Sequence, residues 1–380
     1  MKILKLQGGS IINGEGSLEY LRQVEYKKAM IITGSKSMFA SGVIGKIEAY
    51  MKKPDRQIHI YGVIGKNPTK EEVYQALYQA REFKPDVVIA VGGGSPMDAA
   101  KAVVLFYEFP DLNFDNVFST KLPERREKVK FIAIPSTSGT ASEVTHVTVI
   151  TYPEEKVKRA IRCDCLRPDI TILDGTIPQT LPPHIVAETG MDALTHALEC
   201  YINKNGDEFT DALAKEAIEG ILYWLPISYE KATLESRQKM HADQCMAGMA
   251  FSNAGLGIVH GVSHAFGGMY DTAHGLANAV ILPYSMDYNK KDAFVAAKYQ
   301  RLSRAIGKDI IFAVKKLSEF LEIPPRFKDI GIAETAFKEA YENLVKNSLG
   351  GSTVVNPIVV SEADMRKFVS AVYYGYPVDF

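Results

Sequence analysis

The stretch Asp86-Val87-Val88-Ile89-Ala90-Val91-Gly92-Gly93-Gly94-Ser95-Pro96 decides how the N-terminal half is read. From Val87 to Val91 every position is apolar, with no alternation. That pattern marks a strand covered on both faces, as in a parallel sheet flanked by helices. Three glycines follow at once, and a helix rich in small residues is predicted from about Met97 to Phe106. Backbone N–H groups approach a pyrophosphate only where no side chain intervenes, and a helix N-terminus adds favourable dipole charge. The glycine run does not match the G-x-G-x-x-G spacing. Taken alone it marks either a phosphate cradle or an ordinary strand-to-helix turn.

Outward from this stretch the same order repeats. Met30-Ile31-Ile32-Thr33, ending at Gly34, reads as a buried strand, as do Gln57-Ile58-His59-Ile60-Tyr61 and Lys130-Phe131-Ile132-Ala133-Ile134-Pro135. Glu71 to Phe83 reads as a helix opened by Pro68-Thr69. Strands alternating with helices predict a doubly wound, Rossmann-like parallel sheet. A second turn, Pro135-Ser136-Thr137-Ser138-Gly139-Thr140-Ala141-Ser142, also follows a strand. Its hydroxyls and amides suit the carboxamide or ribose of a nicotinamide, or equally a helix cap. Near the start, Asn13-Gly14 has hairpin chemistry, so a small hairpin is expected over Ser10–Ser17.

The texture changes near residue 180. Thr180-Leu181-Pro182-Pro183 is a helix start, and helical periodicity then runs almost throughout, as in Asp211–Leu225, Leu234–Phe251, Phe294–Ala305 and Phe337–Lys346. An α/β domain over 1–180 and an all-helical domain over 181–380 are therefore expected.

Composition narrows the function classes. A chain of 380 residues with 46% hydrophobic residues can bury its cores without structural metal, so a metal site would serve chemistry. A net charge of −1, with no basic stripe, argues against nucleic acid or an anionic membrane surface as partner. Four cysteines, Cys163, Cys165, Cys200 and Cys245, include no C-x-x-C pair and read as free thiols in a reducing compartment. With no apolar run of spanning length or signal type, a cytoplasmic protein is expected.

Metal-ligand chemistry gathers in the second half. Asp192 and His196 stand one helical turn apart, as do His260 and His264, and His274 follows just before Gly275. Residues at i and i+4 share a helix face, so each pair can bite one ion. Oxygen and nitrogen donors without thiolate suit Fe²⁺, Zn²⁺ or Mn²⁺. Each pair alone is more often a packed helix surface, Asp192 also reads as a helix-start carboxylate, and spacing does not choose between His260 and His264. The conjunction with two phosphate-type turns raises the functional reading.

At these residues the chain resembles the iron-containing alcohol dehydrogenases, and among them butanol dehydrogenases that prefer NADPH. The resemblance is carried by Gly190-Met191-Asp192-Ala193-Leu194-Thr195-His196-Ala197-Leu198-Glu199, by His260-Gly261-Val262-Ser263-His264-Ala265, by His274-Gly275-Leu276-Ala277-Asn278-Ala279, and by the Gly92–Asp98 and Pro135–Val144 turns. It extends from the Gly14-Glu15-Gly16-Ser17 segment to Ala371–Gly375. It implies a dinucleotide-binding first domain, a metal- and substrate-binding second domain and an active site between them. It also implies metal ligands Asp192, His196, His260 and His274, with His264 beside the substrate, so that Asp192, His260 and His264 are the expected catalytic positions. Gly93, Gly94, Ser95 and Asp98 match the pyrophosphate turn, Thr137, Ser138, Thr140 and Thr145 the nicotinamide side, and Lys158 a lysine near the cofactor.

Many NAD-using relatives place an Asp directly after the first strand, where it binds the ribose 2′-hydroxyl and repels a 2′-phosphate. Here the segment is Gly34-Ser35-Lys36-Ser37, which offers hydroxyls and a cation. That set favours NADP(H), with NAD the alternative. The implied reaction is hydride transfer between NADP(H) and a small primary alcohol or its aldehyde, with Fe²⁺, or Zn²⁺ in its place, bound by the ligands. His264 is expected to pass the proton, and a homodimer or larger homo-oligomer is expected from the resemblance. Glycerol or other polyol dehydrogenation, a dehydroquinate-synthase-like lyase and a nonenzymatic binder are the rival readings. The lyase needs cations for a phosphorylated substrate, and few Lys or Arg flank the metal segment.

Overall fold

The strand Val87–Gly92 is buried at all six positions, and its neighbours show why. The structure, a computed structural model, describes residues 3–155 and 157–380. The chain divides into two units, Met1–Thr180 and Leu181–Phe380. The described residues of the first unit form strands β1 (Ser10–Asn13), β2 (Lys28–Gly34), β3 (Gln57–Ile64), β4 (Val87–Gly92), β5 (Lys130–Pro135), β6 (Val147–Tyr152), β7 (Val157–Arg162) and β8 (Ile170–Leu173). Its helices are α1 (Ser37–Ala40), α2 (Val43–Met51), α3 (Lys70–Phe83) and α4 (Gly94–Glu108).

Six strands form one parallel sheet in the order β1-β8-β5-β4-β2-β3. In the middle of it, Ile89 pairs with Ile31 on one side and Ile132 on the other. Successive side chains point to opposite faces. Met30, Ile32, Val88, Ala90, Phe131 and Ala133 pack on the side of α3 and α4. Ile31, Val87, Ile89, Val91, Ile132 and Ile134 pack with Ile44 and Ile47 of α2 on the other. A strand with a core on each side leaves no face for polar residues, which accounts for its unbroken apolar sequence. Helix α3 begins with a capping box: Glu72 N–H donates to Thr69 Oγ1, and Thr69 N–H donates to the Glu72 carboxylate.

One local expectation is corrected. The Asn13-Gly14 segment makes no hairpin: Ser10–Asn13 pairs in parallel with Ile170–Leu173 instead. Gly14 N–H donates to Leu173 O, and the Asp174 carboxylate accepts from the amides of Gly16 and Leu18. A distant strand and carboxylate outcompete the local turn. The hairpin in this unit is β6–β7, antiparallel, beside α4. The Ser/Thr-rich turn after β5 opens no helix and runs as turns to β6.

The second unit is helical: α5 (Pro183–Ile202), α6 (Glu208–Glu230), α7 (Leu234–Ala254), α8 (Ile258–Tyr270), α9 (His274–Asn289), α10 (Ala293–Ile306), α11 (Ile310–Phe320), α12 (Glu334–Ser348) and α13 (Glu362–Tyr374). Pro183 stands in the first turn of α5, where its missing N–H costs nothing. Helix α5 is the centre, packed by α6, α7 and α9, and is buried at every position from Gly190 to Ile202. Among the described residues no single helix is long and apolar enough to cross a membrane.

Candidate active site

Helix α5 is hydrophobic on all sides yet carries Asp192, His196 and Glu199 along one stripe, all buried. Charged and titratable groups in such a position need partners, because burial without them is costly. The partners come from two other helices. His260 lies in the first turn of α8, and His274 opens α9. One ligand atom each from Asp192, His196, His260 and His274 falls within 4.8 Å of the others. His274 Nε2 stands 3.7 Å from Asp192 Oδ1, and His196 Nε2 4.0 Å. Ligands bound at the usual 2.0–2.2 Å of a tetrahedral site lie roughly 3.4 Å apart, so only small side-chain movements separate this set from a common ion. Gly275 permits the approach of α9: a Cβ there would sit 2.5 Å from Glu188 O of α5.

The imidazoles are oriented from behind. Glu199 accepts from Val259 N–H at 2.7 Å, and its other oxygen lies 2.5 Å from His260 Nδ1. Ser263 Oγ lies 3.2 Å from His274 Nδ1. With Nδ1–H donating outward, each Nε2 keeps a lone pair for the interior. Burial, helped by the neighbouring imidazoles, holds His260 well below the ordinary histidine value, hence neutral. Burial pushes Glu199 up to about 8, against the pull of the amides of Val259, Gly257 and His260.

Asn278 of α9 supplies the test of whether these groups fit a cation. Its Nδ2 lies 2.6 Å from Asp192 Oδ1, 3.1 Å from His260 Nε2 and 3.2 Å from His274 Nε2. Its own Oδ1 is buried with no hydrogen-bond partner among the described residues. One donor group faces three acceptors, two of them imidazole nitrogens. Such an acceptor cluster matches a divalent metal, and the nitrogen and oxygen donors fit Fe²⁺ or Zn²⁺. His264 stands outside the cluster, exposed on α8, with its ring stacked on His274 at 5.1 Å.

In the first unit, β4 ends in Gly92 with φ 142°, and Gly93 is the N-cap of α4. Thr137 and Thr140 pack against Gly93 and Gly94, where an added Cβ would lie 3.4 Å and 3.0 Å from them. Ser95 Oγ accepts from Asn67 N–H, and Lys158 Nζ donates to Asn67 Oδ1 at 2.8 Å, which links Lys158 to the glycine turn. Gly34-Ser35-Lys36-Ser37 follows β2, beside β4, with Ser35, Lys36 and Ser37 exposed. The chain proceeds outward from β2 to β3 and returns past it to β4, so the two turns flank a switch point of the sheet, the usual ligand position in open α/β folds.

Two of the expected contacts, Asp98 and Thr145, are bonded within the unit, and a third, Ser138, is covered. Asp98 accepts from Ser142 Oγ at 2.9 Å and Val149 N–H at 3.0 Å. Thr145 Oγ1 accepts from Lys101 Nζ at 2.9 Å, and Ser138 is buried. Lys101, fully buried, also donates to Ser142 Oγ and Val147 O, and burial brings it down to about 8. Sequence reasoning passed over Lys101, Asn67, Glu199 and Asn278. The signal for two of them was present: a charge set directly between small or apolar neighbours, in Ala99-Ala100-Lys101-Ala102 and in Ala197-Leu198-Glu199-Cys200.

Comparison with known proteins agrees over nearly the whole chain. Residues 9–175 match the model of iron-containing alcohol dehydrogenases, and 186–373 the C-terminal model of the Fe-containing alcohol dehydrogenase family. An NADPH-dependent butanol dehydrogenase of Clostridium saccharobutylicum is 40% identical over 97% of this chain and 98% of its own. An alcohol dehydrogenase of Thermococcus barophilus is 31% identical over 96% and 97%. The solved iron-containing alcohol dehydrogenase of Thermococcus thioreducens superposes with a TM-score of 0.91 at 34% identity, covering 98% of this chain and all of that one.

Proposed function

The chain belongs to the iron-containing alcohol dehydrogenase family, and from that membership we propose that it interconverts a small primary alcohol and its aldehyde, with NADP(H) as the hydride carrier and a divalent ion held by Asp192, His196, His260 and His274. The observation that carries this reading is the convergence of those four groups from three helices, three of them on the Asn278 amide. When bound, the ion supplies Lewis acidity to the substrate oxygen and the nicotinamide supplies or accepts hydride. Fe²⁺ is the proposed ion and Zn²⁺ the alternative.

The chain's own residues do the rest. Neutral His260 keeps its Nε2 lone pair, and Glu199 and Ser263 hold the rings of His260 and His274 in place. The amides at the start of α4, with Gly93, Gly94 and Ser95, offer hydrogen bonds to a pyrophosphate. Thr137 and Thr140 line that turn, while Asp98, Ser138 and Thr145 shape it from within. Ser35, Lys36 and Ser37 present two hydroxyls and an ammonium, with no carboxylate, to a 2′-phosphate. His264, exposed beside His274, takes the proton from the alcohol and returns it to solvent. The four free cysteines support a reducing, cytoplasmic setting, and association into a homodimer or larger oligomer completes the proposal.

The test is oxidation of NADPH and of NADH with butyraldehyde by protein stripped with chelator and refilled with Fe²⁺ or Zn²⁺. The expected result is metal-dependent turnover that prefers NADPH and disappears in His260→Ala. Full activity retained by the stripped protein and by the variant would overturn the metal assignment.

A further inference from the structure

Away from these groups, one pair of nucleophilic side chains has no part in the proposed reaction. Cys163 is extended, and the single-turn 3-10 segment Asp164–Leu166 that follows folds Cys165 back beside it. The two sulfurs stand 2.6 Å apart, and Cys163 Sγ also lies 2.7 Å from Pro123 O. Asp164, between them, pairs with Lys5 at 2.5 Å and Arg167 at 3.3 Å. The segment is therefore pinned with its thiols together. Arg126 adds a second anchor: its guanidinium donates to Cys165 O and, at 2.8 Å, to Arg167 O, and pairs with Asp169 at 2.8 Å.

An independent feature gives access. A cavity of about 470 Å³ is lined by Val117, Phe118, Pro123, Arg162, Cys163 and Asp164, and Cys165 is not on its wall. The two thiols are thus unequal: one borders a space that admits a small molecule, and the other lies behind it. The hydrogen bond from Cys165, with Arg126 assisting, draws the Cys163 thiol down against the effect of burial, and pushes Cys165 up. Thiolate character on the accessible partner is what oxidation by peroxide requires.

We propose that Cys163 and Cys165 form a thiol-oxidation site for small hydroperoxides, entered from the cavity, at which Cys163 reacts first and Cys165 resolves it. The Cys163 thiolate attacks one peroxide oxygen; the O–O bond breaks, hydroxide leaves and is protonated to water, and Cys163 becomes a sulfenic acid. The Cys165 sulfur then attacks the sulfenic sulfur; the S–O bond breaks, and a second water departs with the Cys165 proton. Two thiols lose two electrons and two protons, and hydrogen peroxide becomes two waters.

The test uses the full chain loaded with Zn²⁺, so that iron generates no radicals, and treated with hydrogen peroxide. Thiols are counted under denaturing conditions and peptides are mapped by mass. Of the four cysteines, two thiols should be lost, in one peptide linking Cys163 to Cys165, and dithiothreitol should restore all four. Cys165→Ser should stop at a sulfenic acid on Cys163 that dimedone traps, and Cys163→Ser should keep all its thiols under the same treatment. Earlier oxidation of Cys200 or Cys245, survival of all four thiols, or unchanged oxidation in Cys163→Ser would overturn the proposal.

Discussion

At the scale of single residues, Glu199 shows how much of a metal site lies behind its ligands. Held ionised against the effect of burial by a cation bound nearby, the Glu199 carboxylate accepts from His260 Nδ1–H and so leaves Nε2 with its lone pair. A carboxamide in its place presents an N–H toward Nδ1, which favours the opposite tautomer and protonates Nε2. Glu199→Gln is therefore predicted to weaken Zn²⁺ or Co²⁺ binding about 10- to 100-fold, the usual cost of losing such a support. Competition with a chromogenic chelator measures it, and unchanged affinity in a folded variant contradicts the role. Cofactor choice also rests on single residues. Introducing a carboxylate by Ser35→Asp places a negative charge where a 2′-phosphate is proposed to lie. The preference for NADPH over NADH should fall, read as the ratio of kcat/KM for the two cofactors. A ratio unmoved by the substitution would remove Ser35 from the cofactor site.

At the scale of elements, α4 carries a buried cation whose pH dependence can be predicted in sign. Lys101 stands at about 8 in the fold against an ordinary 10.5. Between those values the unfolded chain binds more protons than the folded one, so stability attributable to Lys101 rises with pH across that window. Below about 8 both states are protonated and the full cost of burying the charge remains. The unfolding free energy of the wild type relative to Lys101→Met should therefore increase from pH 8 to pH 10. A flat or falling difference would show that Lys101 is not the buried ammonium described. The start of α9 is a second such case. Gly275→Ala puts a Cβ against Glu188 O and pushes His274 away from Asp192; a loss of roughly 1–3 kcal/mol in stability should accompany weakened metal binding.

Elements also show where sequence is informative. The run Val87–Val91 was legible because a core on each face admits only apolar residues. The pattern from Thr69 to Phe83 was legible because caps act within one helical turn. The Asn13-Gly14 turn misled because its competitor, the strand Ile170–Leu173, lies far along the chain. The β6–β7 hairpin went unforeseen, since its strands mix apolar residues with Thr, Lys and Arg. Within the candidate site, spacing left His260 and His264 equivalent. Only the placement of the first turn of α8 beside Asp192 brings the first into the cluster and leaves the second, one turn further along, exposed.

At the scale of the whole molecule, each unit has its own core, and the metal-type cluster belongs wholly to the helical unit. An ion bound there stabilises the folded state by mass action, on the order of 2.7 kcal/mol at a hundredfold excess over Kd. Calorimetry should show a lower thermal midpoint after chelation, restored by Zn²⁺, and no such response in His260→Ala. The central claim is that Asp192, His196, His260 and His274 hold one divalent ion, and its most direct test is anomalous diffraction from a crystal grown with Co²⁺ and recorded at the cobalt edge. A single strong peak is expected within bonding distance of Asp192 oxygen and the three Nε2 atoms. A cluster without a peak, or cobalt bound to a different set of side chains, would contradict it.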